Sequence, residues 1–174
     1  MKNLPSLLLF ILAWPVLAWA AAAAPPGLPV AMDFQADGKI AHEKRVPILV
    51  MFGSASCGYC RRALRDYLVP MHLNPAYQGK VMMRYVEIDS AVGLKSFAGA
   101  STRHKEFAKV NNILVTPTVK LFDSTGAEVS EPLVGLLSAD FYGAYLDRAI
   151  DEGLGRIRTG TGIGAAGSTG RAVR

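Results

Sequence analysis

The sequence predicts an α/β fold in which a central, mixed four-stranded sheet is flanked by helices. Strand-like and helical patterns alternate along the chain in the order α-β-α-β-α-β-β-α. The run from Val46 to Phe52 (VPILVMF) is short, β-branched and nearly all apolar, as in a strand that is buried on both faces. A helix joins the first two strands, which predicts parallel pairing, and the sequence DSTG at 123–126 joins the last two as a hairpin turn.

The first half of the chain is expected to supply two helices and two strands. The first helix is predicted over Asp33 to Arg45, where apolar residues are interspersed with polar ones. A second helix follows the sequence SASCGYC, because apolar side chains recur at i, i+3, i+4 and i+7 from Leu64 onwards. Pro70 is expected to kink or end that helix, since proline lacks the backbone donor. The second strand is predicted over Val81 to Ile88.

The middle of the chain carries weaker patterns. Residues Asp89 to Ala100 are expected to be irregular, because glycine and small residues interrupt any period. A short helix is predicted from Ser101 to Val110, with Ser101 or Thr102 as its N-cap. His104 on that helix is expected at the surface. The third strand is predicted over Thr118 to Phe122 (TVKLF).

The last two elements are a strand and a helix. The fourth strand is predicted over Glu128 to Val134, and Pro132 indicates that it lies at the edge of the sheet. The final helix is expected to start at Ser138 and to run to about Glu152, where Gly153 stops it.

Both ends of the chain differ in composition from a folded domain. Residues 1–24 combine a basic start, an apolar run and the small-x-small pattern Ala18-Trp19-Ala20, which is typical of a secretory signal peptide cleaved near Ala20. The alternative is a retained membrane anchor, although the apolar run is shorter than the ~20 residues of a span. Residues 153–174 contain repeated glycine, four arginines and no acid, which predicts a flexible tail. The folded domain is therefore expected over residues 25–152.

The formal net charge of +5 belongs to those two ends. Lys2 lies in the leader and four arginines lie in the tail, so that residues 25–152 carry 14 basic and 14 acidic side chains. A formally neutral domain offers no basic surface for a phosphate backbone. We therefore expect no nucleic-acid partner.

The two cysteines of the chain form a single motif, Cys57-Gly58-Tyr59-Cys60, where the predicted buried strand passes into a helix. The first cysteine then lies at the helix N-terminus, where free backbone N–H groups and the helix dipole stabilise a thiolate. A thiolate is the attacking species in disulfide exchange. Cys60 lies one helical turn further on and can attack the mixed disulfide, and Gly58 lets the turn close without a bulky side chain.

Other uses of a CxxC motif fit this chain less well. A structural disulfide that closes a two-residue gap removes little entropy from the unfolded chain. A zinc site needs two further ligands, and His42, His72 and His104 are scattered without ligand spacing. For copper, Met51 is the only weak candidate ligand beside the pair. We therefore predict redox chemistry that requires no metal and no organic cofactor.

Two questions stay open around the motif. A proline just before a strand, as in Val115-Thr116-Pro117-Thr118, is normally a turn or edge residue. The alternative is a cis-proline that brings the backbone of Thr116 close to the CxxC sulfur. Arg61 and Arg62 have a solvated helix face as their simpler interpretation, and a contribution to the Cys57 thiolate as the alternative.

Taken together, these residues resemble the thioredoxin superfamily. The strand ILVMF, the CGYC at a helix start, Glu87-Ile88-Asp89 at a strand end, the TPT before TVKLF, and Leu133-Val134-Gly135 before the last helix occur in family order. The resemblance covers Val46 to Glu152 and implies a thioredoxin-like, three-layer fold. Within the superfamily the chain is most similar to exported bacterial members, including SoxW-type thioredoxins.

The resemblance also implies roles for individual residues. Cys57 would be the nucleophile and Cys60 the resolving thiol. Pro117 would be the cis-proline, and Thr116 would present its backbone to an extended substrate. The residues expected to contact substrate are Gly58, Tyr59, Thr116 and Pro117.

The chain departs from cytosolic thioredoxins close to the motif. Ser56 stands where those proteins have tryptophan, and Tyr59 stands where they have proline. Met51 replaces the buried aspartate that helps to deprotonate the second cysteine, and Tyr85 falls near the position of the accompanying lysine. We therefore expect the usual proton relay to be absent.

These arguments predict an exported thiol–disulfide oxidoreductase, working in the periplasm as a reductase of protein or small-molecule disulfides. A reductant in an oxidising compartment needs an external electron source, so a membrane reductase is the expected partner. The alternatives are a thiol oxidase, a disulfide isomerase, or a non-enzymatic copper-handling chaperone with the same fold. We expect the protein to be a monomer.

Overall fold

The computed structural model describes residues 27–136 and 138–160, and it contains the predicted mixed sheet. The order of the four strands in this sheet is β2-β1-β5-β6. Their bounds are β1 (Ile48–Gly53), β2 (Met82–Glu87), β5 (Thr118–Phe122) and β6 (Leu133–Val134). The β1–β2 pair is parallel, and the β1–β5 and β5–β6 pairs are antiparallel. The predicted fold class is thereby confirmed.

Strand β1 is the centre of the core. All six of its residues are buried, because it pairs on both sides and its two faces are both covered. Alternate side chains enter different clusters: Leu49 and Met51 pack with Cys60, whereas Ile48, Val50 and Phe52 pack on the opposite face. The cysteine motif is therefore attached to the most thoroughly buried strand of the fold.

The first helix, α1 (Phe34–Lys44), has the predicted position. Asp33 is its N-cap, and the Asp33 carboxylate accepts a hydrogen bond from the backbone N–H of Ala36 at 2.8 Å. Arg45 ends the helix in the left-handed conformation, with a φ of 53°. This helix packs on the face of the sheet that does not carry the cysteines.

The helix that follows the CxxC motif does not end at Pro70. It runs without a break through α2 (Gly58–Ala63), a π-helical turn (Leu64–Leu68) and α3 (Val69–Leu73), and a further turn, α4 (Pro75–Gln78), comes next. In a regular helix the ring of Pro70 would clash with the carbonyl four residues earlier. The single wide turn directly before Pro70 lets the helical path continue to Leu73.

The segment expected to be irregular contains a β-hairpin, so that prediction is wrong in part. Its strands are β3 (Gly93–Lys95) and β4 (Ser101–Arg103), and the helix α5 (His104–Val110) starts later than predicted, with Arg103 as its N-cap. Ser101 and Thr102 are strand residues rather than caps. The hairpin forms because Lys95 pairs with the extended chain before α1, where the Lys95 N–H donates to the Met32 carbonyl at 2.9 Å.

His104 is buried, with 1% of its surface exposed, so its predicted surface position is wrong. Two distant backbone groups satisfy the ring. The Glu87 N–H donates to Nδ1 at 3.1 Å, and Nε2 lies 2.7 Å from the Ala31 carbonyl, to which it donates. These two contacts assign a proton to Nε2 and an acceptor lone pair to Nδ1.

The fourth strand is shorter than predicted. Only Leu133–Val134 pair with β5, and Glu128 makes an isolated bridge to Phe122. Between them the chain leaves the ladder, because Pro132 has no N–H to donate. The edge position of this strand is nevertheless as predicted.

The final helix, α6 (Ala139–Thr159), continues past the predicted end. Gly153 does not stop it, because this part of the helix packs against the rest of the fold. A Cβ at Gly153 would lie only 3.0 Å from a methyl of Val129, and the next residue, Leu154, is buried. The helix ends at Gly160 in the left-handed conformation. Residues 153–159 of the predicted tail are thus helical.

The predicted leader and the rest of the predicted tail lie outside the described residues. Within residues 27–136 and 138–160, no helix has the length and apolar character that crossing a membrane requires.

Candidate active site

The two cysteines are joined as a disulfide at the start of α2, with their Cα atoms 5.2 Å apart. Cys57 is the N-cap of the helix and is half-buried, whereas Cys60 lies inside the first turn with 1% of its surface exposed. Cys57 is therefore the more accessible cysteine of the pair. Gly58 and Tyr59, between them, are both exposed.

The backbone around Cys57 places one hydrogen-bond donor at its sulfur. The N–H of Cys60 donates to Cys57 Sγ at 3.0 Å. The N–H of Cys57 itself donates to the Ser54 carbonyl at 3.1 Å and thereby fixes the turn. A sulfur at a helix N-cap that accepts an N–H in this way is stabilised as a thiolate once the disulfide is reduced.

The loop before β5 lies against the same sulfur. The Thr116–Pro117 peptide bond is cis, and the Thr116 carbonyl oxygen lies 3.7 Å from Cys57 Sγ. The Gly135 N–H donates to the Pro117 carbonyl at 2.7 Å, and the Thr118 hydroxyl donates to the Val115 carbonyl at 2.7 Å. The structure thus brings all six predicted site residues to one end of the sheet.

Apolar side chains are exposed on the motif, on the loop before β5 and at the sheet edge. Leu114 and Val115 are 92% and 49% exposed, Val134 at the sheet edge is 47% exposed, and Tyr59 of the motif is 65% exposed. Exposed apolar side chains around a reactive group are typical of a surface that meets a polypeptide partner.

No carboxylate lies at the predicted relay position. Met51 is fully buried in the cluster that contains Cys60, and it pairs in register with Tyr85 on β2. Burial, followed by the charges of Glu87 and Asp89, raises the pKa of Tyr85 to about 12. Tyr85 is therefore a neutral phenol near pH 7 and a poor acceptor for the proton of Cys60.

A polar network beside the motif was not predicted from the sequence. The Ser54 hydroxyl donates to the Asp89 carboxylate at 3.0 Å, and its oxygen lies 3.1 Å from the Ser56 hydroxyl. The signal was present, because Asp89 follows β2 and Ser54 follows β1, and parallel neighbours end at the same edge. These contacts tie the residues before Cys57 to the adjacent strand.

Arg61 also lies closer to the site than an ordinary solvated residue. Its guanidinium folds back over the start of α2 and donates from Nη1 to the Ala55 carbonyl at 2.9 Å. Arg62, by contrast, points its Nε towards Asp66 at 3.5 Å. Arg61 therefore contacts the turn that leads into Cys57, whereas Arg62 contacts Asp66.

The part of the chain that the structure describes contains no group of three or more histidine, cysteine, aspartate or glutamate side chains that could hold a metal ion. Both cysteines of the chain are in the disulfide.

Comparison with known proteins places this geometry in a family. A family model described as a thioredoxin-like domain matches residues 34–150. The chain belongs to the thioredoxin-like family. With the CxxC pair in place at the helix start, the thioredoxin-like protein is a thiol–disulfide oxidoreductase that acts on thiols and disulfides.

Several solved thioredoxin structures are similar to the chain at low sequence identity. The chain is similar to a thioredoxin from Malassezia sympodialis (18% identity, 75% of this chain and 95% of that chain, TM-score 0.50). It is also similar to a Fasciola hepatica thioredoxin (20%, 71% and 97%, TM-score 0.48) and to oxidised mitochondrial thioredoxin 3 from Saccharomyces cerevisiae (15%, 71% and 93%, TM-score 0.46). No curated protein sequence matches the chain.

Proposed function

We propose that this protein is an exported reductase of protein disulfides that works in the periplasm through the Cys57–Cys60 dithiol. One observation carries the proposal. Cys57 is the more exposed member of the pair, and its sulfur accepts from the Cys60 N–H at 3.0 Å and lies 3.7 Å from the Thr116 carbonyl, while Cys60 is buried. This arrangement separates an attacking sulfur from a resolving one.

In the reduced protein, the Cys57 thiolate attacks one sulfur of the substrate disulfide. The substrate S–S bond breaks, the second substrate sulfur leaves as a thiolate, and a mixed disulfide through Cys57 remains. Cys60 then loses its proton to solvent and attacks Cys57 Sγ, which releases the first substrate sulfur. Two electrons pass to the substrate, its two sulfurs take up protons, and the protein is left with the disulfide seen in the structure.

The loop of Thr116 and Pro117 holds the substrate during the exchange. A backbone carbonyl that faces the reactive sulfur offers an extended peptide an acceptor for its own N–H. Gly58 leaves the approach to Cys57 open, and the exposed ring of Tyr59 gives an apolar contact. We propose these four as the substrate-contacting residues.

Export is supported by the first 24 residues, whose basic start, apolar run and Ala18-Trp19-Ala20 pattern match a cleaved signal peptide. The resemblance to exported thioredoxins, including the SoxW type, supports the reductase direction. A reductase there draws its electrons from a membrane partner. Expression of the full chain in a bacterium, followed by mass analysis of the periplasmic fraction, tests both export and cleavage near Ala20. A full-length cytoplasmic product contradicts them.

A thiol oxidase is the second candidate, because one specific contact favours it. The Cys60 N–H at the Cys57 sulfur stabilises the reduced form, and a stabilised thiolate makes a disulfide more oxidising. Equilibration with glutathione buffers decides the direction. A reduction potential of about −270 mV identifies a reductase, whereas a value of about −120 mV identifies an oxidant.

The same preparation tests the copper-chaperone alternative. Tight, stoichiometric copper binding that is lost in Cys57→Ser, together with no reduction of insulin disulfides, would replace the enzymatic proposal. Reduction of insulin with weak copper binding supports it.

A further inference from the structure

The start of α2 carries positive charge that the helix itself does not require. Arg61 and Arg62 follow Cys60 directly, and no acidic residue lies in the first turn of α2. The positive end of a helix dipole disfavours cations at this end of a helix. The helix dipole therefore explains neither arginine; Arg62 has an i,i+4 ion pair with Asp66, whereas Arg61 has no such partner among the described residues.

The surroundings leave that charge available to a ligand. The Arg61 guanidinium is anchored by the Ala55 carbonyl, and across the described ranges none of its atoms lies in an ion pair. Arg62 has half of its side chain exposed and shares Asp66 with Arg65, which binds that carboxylate more closely, at 2.6 Å against 3.5 Å.

Arg61 also lies close to Gly58, the residue that follows the reactive cysteine. Its Nη2 lies 3.8 Å from the point where a side chain at residue 58 would begin, and Gly58 has none. The guanidinium therefore borders Gly58, the residue next to Cys57, and Arg61 is exposed. Asp89 is the acid of the polar network beside the motif, and its carboxylate accepts a hydrogen bond from the Ser54 hydroxyl.

We propose that Arg61 and Arg62 make the enzyme selective for disulfides whose sulfurs are flanked by carboxylates. The proposal rests on the proposed attack of the Cys57 thiolate on a substrate disulfide, and it names the substrate class of that same site. A carboxylate a few bonds from the attacked sulfur meets the Arg61 fork while the sulfur lies at Cys57, and Arg62 adds a second, more mobile cation.

A simpler role for Arg61, stabilisation of the Cys57 thiolate, has a different signature. A change in the thiolate alters the reaction with every disulfide by the same factor. Recognition of a carboxylate alters the reaction with anionic disulfides only. The ratio of rate constants for an anionic and a neutral disulfide therefore separates the two roles.

The experiment measures single-turnover oxidation of the reduced protein by three probes: dithiodiglycolate (dianionic), hydroxyethyl disulfide (neutral) and cystamine (dicationic). Samples are quenched in acid, and the free thiols are alkylated and counted by mass. We expect Arg61→Gln to lower the dithiodiglycolate to hydroxyethyl disulfide ratio about three- to tenfold at low salt, Arg62→Gln to lower it less, and the wild-type ratio to fall as salt is added.

Two variants serve as controls. Arg61→Lys keeps the charge and is expected to keep most of the selectivity. Lys39→Gln removes an equal charge from α1, on the other face of the sheet, and is expected to leave the ratio unchanged. An unchanged ratio in both Arg61→Gln and Arg62→Gln overturns the proposal, as does an equal slowing with all three probes. A wild-type protein that oxidises with none of them removes the proposed function itself.

Discussion

Met51 and Tyr85 are register partners on the paired parallel strands β1 and β2. Met51 is fully buried in the cluster that contains Cys60. Tyr85 is half-buried, and its raised pKa keeps it protonated at neutral pH. Neither side chain is suited to accept the proton that Cys60 must lose, and the proposed mechanism passes this proton to solvent.

The first prediction concerns the pH dependence of Tyr85→Phe. The pKa of Tyr85 is raised from 10.0 to about 12 by burial and by the carboxylates of Glu87 and Asp89. A raised folded-state pKa contributes stability that is fully present below pH 10 and is lost as the pH rises through 12. Between pH 10 and 12, the free energy of unfolding measured in urea should therefore fall less for Tyr85→Phe than for the wild type. Its exchange rate at neutral pH should stay within about twofold of the wild type, and a collapse of that rate would give Tyr85 a role in proton transfer.

The second prediction tests the close packing of Gly53 against the Tyr85 ring. A Cβ at Gly53 would lie 2.9 Å from the ring edge, so Gly53→Ala forces a movement in a buried part of the sheet. We expect a loss of about 1–3 kcal/mol in the free energy of unfolding. Combined with Tyr85→Val, which removes the ring, Gly53→Ala should cost markedly less. Strictly additive losses in this double-mutant cycle would show that the two side chains do not collide.

The third prediction separates charge from positioning in the Ser54–Asp89 contact. Asp89→Asn keeps an oxygen that accepts from the Ser54 hydroxyl but removes a negative charge near the Cys57 turn. We expect its unfolding free energy to stay close to that of the wild type and its attack on hydroxyethyl disulfide at neutral pH to speed up by about twofold. Ser54→Ala breaks the contact and should lower stability by about 1 kcal/mol. A slower Asp89→Asn would indicate that the carboxylate takes part in the exchange.

The fourth prediction concerns the buried imidazole. His104→Leu leaves the Glu87 N–H and the Ala31 carbonyl without their side-chain partner, and we expect a loss of about 2–4 kcal/mol in unfolding free energy. The matched control is His42→Ala on the exposed side of α1, which should change stability by about 0.5 kcal/mol or less. Equal, small effects in both variants would contradict the structural role of His104.

Local patterns were sufficient for the centre of the fold. A continuous apolar run predicts β1 because a strand covered on both faces has no polar side, and the helix period after the motif predicts that Cys57 lies at a helix start. Thr116 and Pro117 were placed by the resemblance, since a proline before a strand fits a turn equally well. The site could therefore be predicted as far as its two cysteines and its facing loop.

The remaining differences arise from contacts between distant segments. The β3–β4 hairpin depends on pairing with the extended chain before α1. His104 is buried because two remote backbone groups form hydrogen bonds with its ring, the Glu87 N–H as donor and the Ala31 carbonyl as acceptor. Gly153 stays helical because it packs closely against Val129, which no local propensity records. Arg61 looks like a solvated residue in sequence, and only the folded turn brings the Ala55 carbonyl to it.

The assignment of Cys57 as the attacking sulfur is tested most directly by trapping a mixed disulfide. Reduced Cys60→Ser and Cys57→Ser variants are mixed with a disulfide-containing peptide, and the products are resolved by mass before and after treatment with dithiothreitol. The structure, with Cys57 half-buried at the N-cap and Cys60 1% exposed, predicts a stable adduct through Cys57 in Cys60→Ser and almost none in Cys57→Ser. An adduct that forms at least as fast through Cys60 would contradict this account.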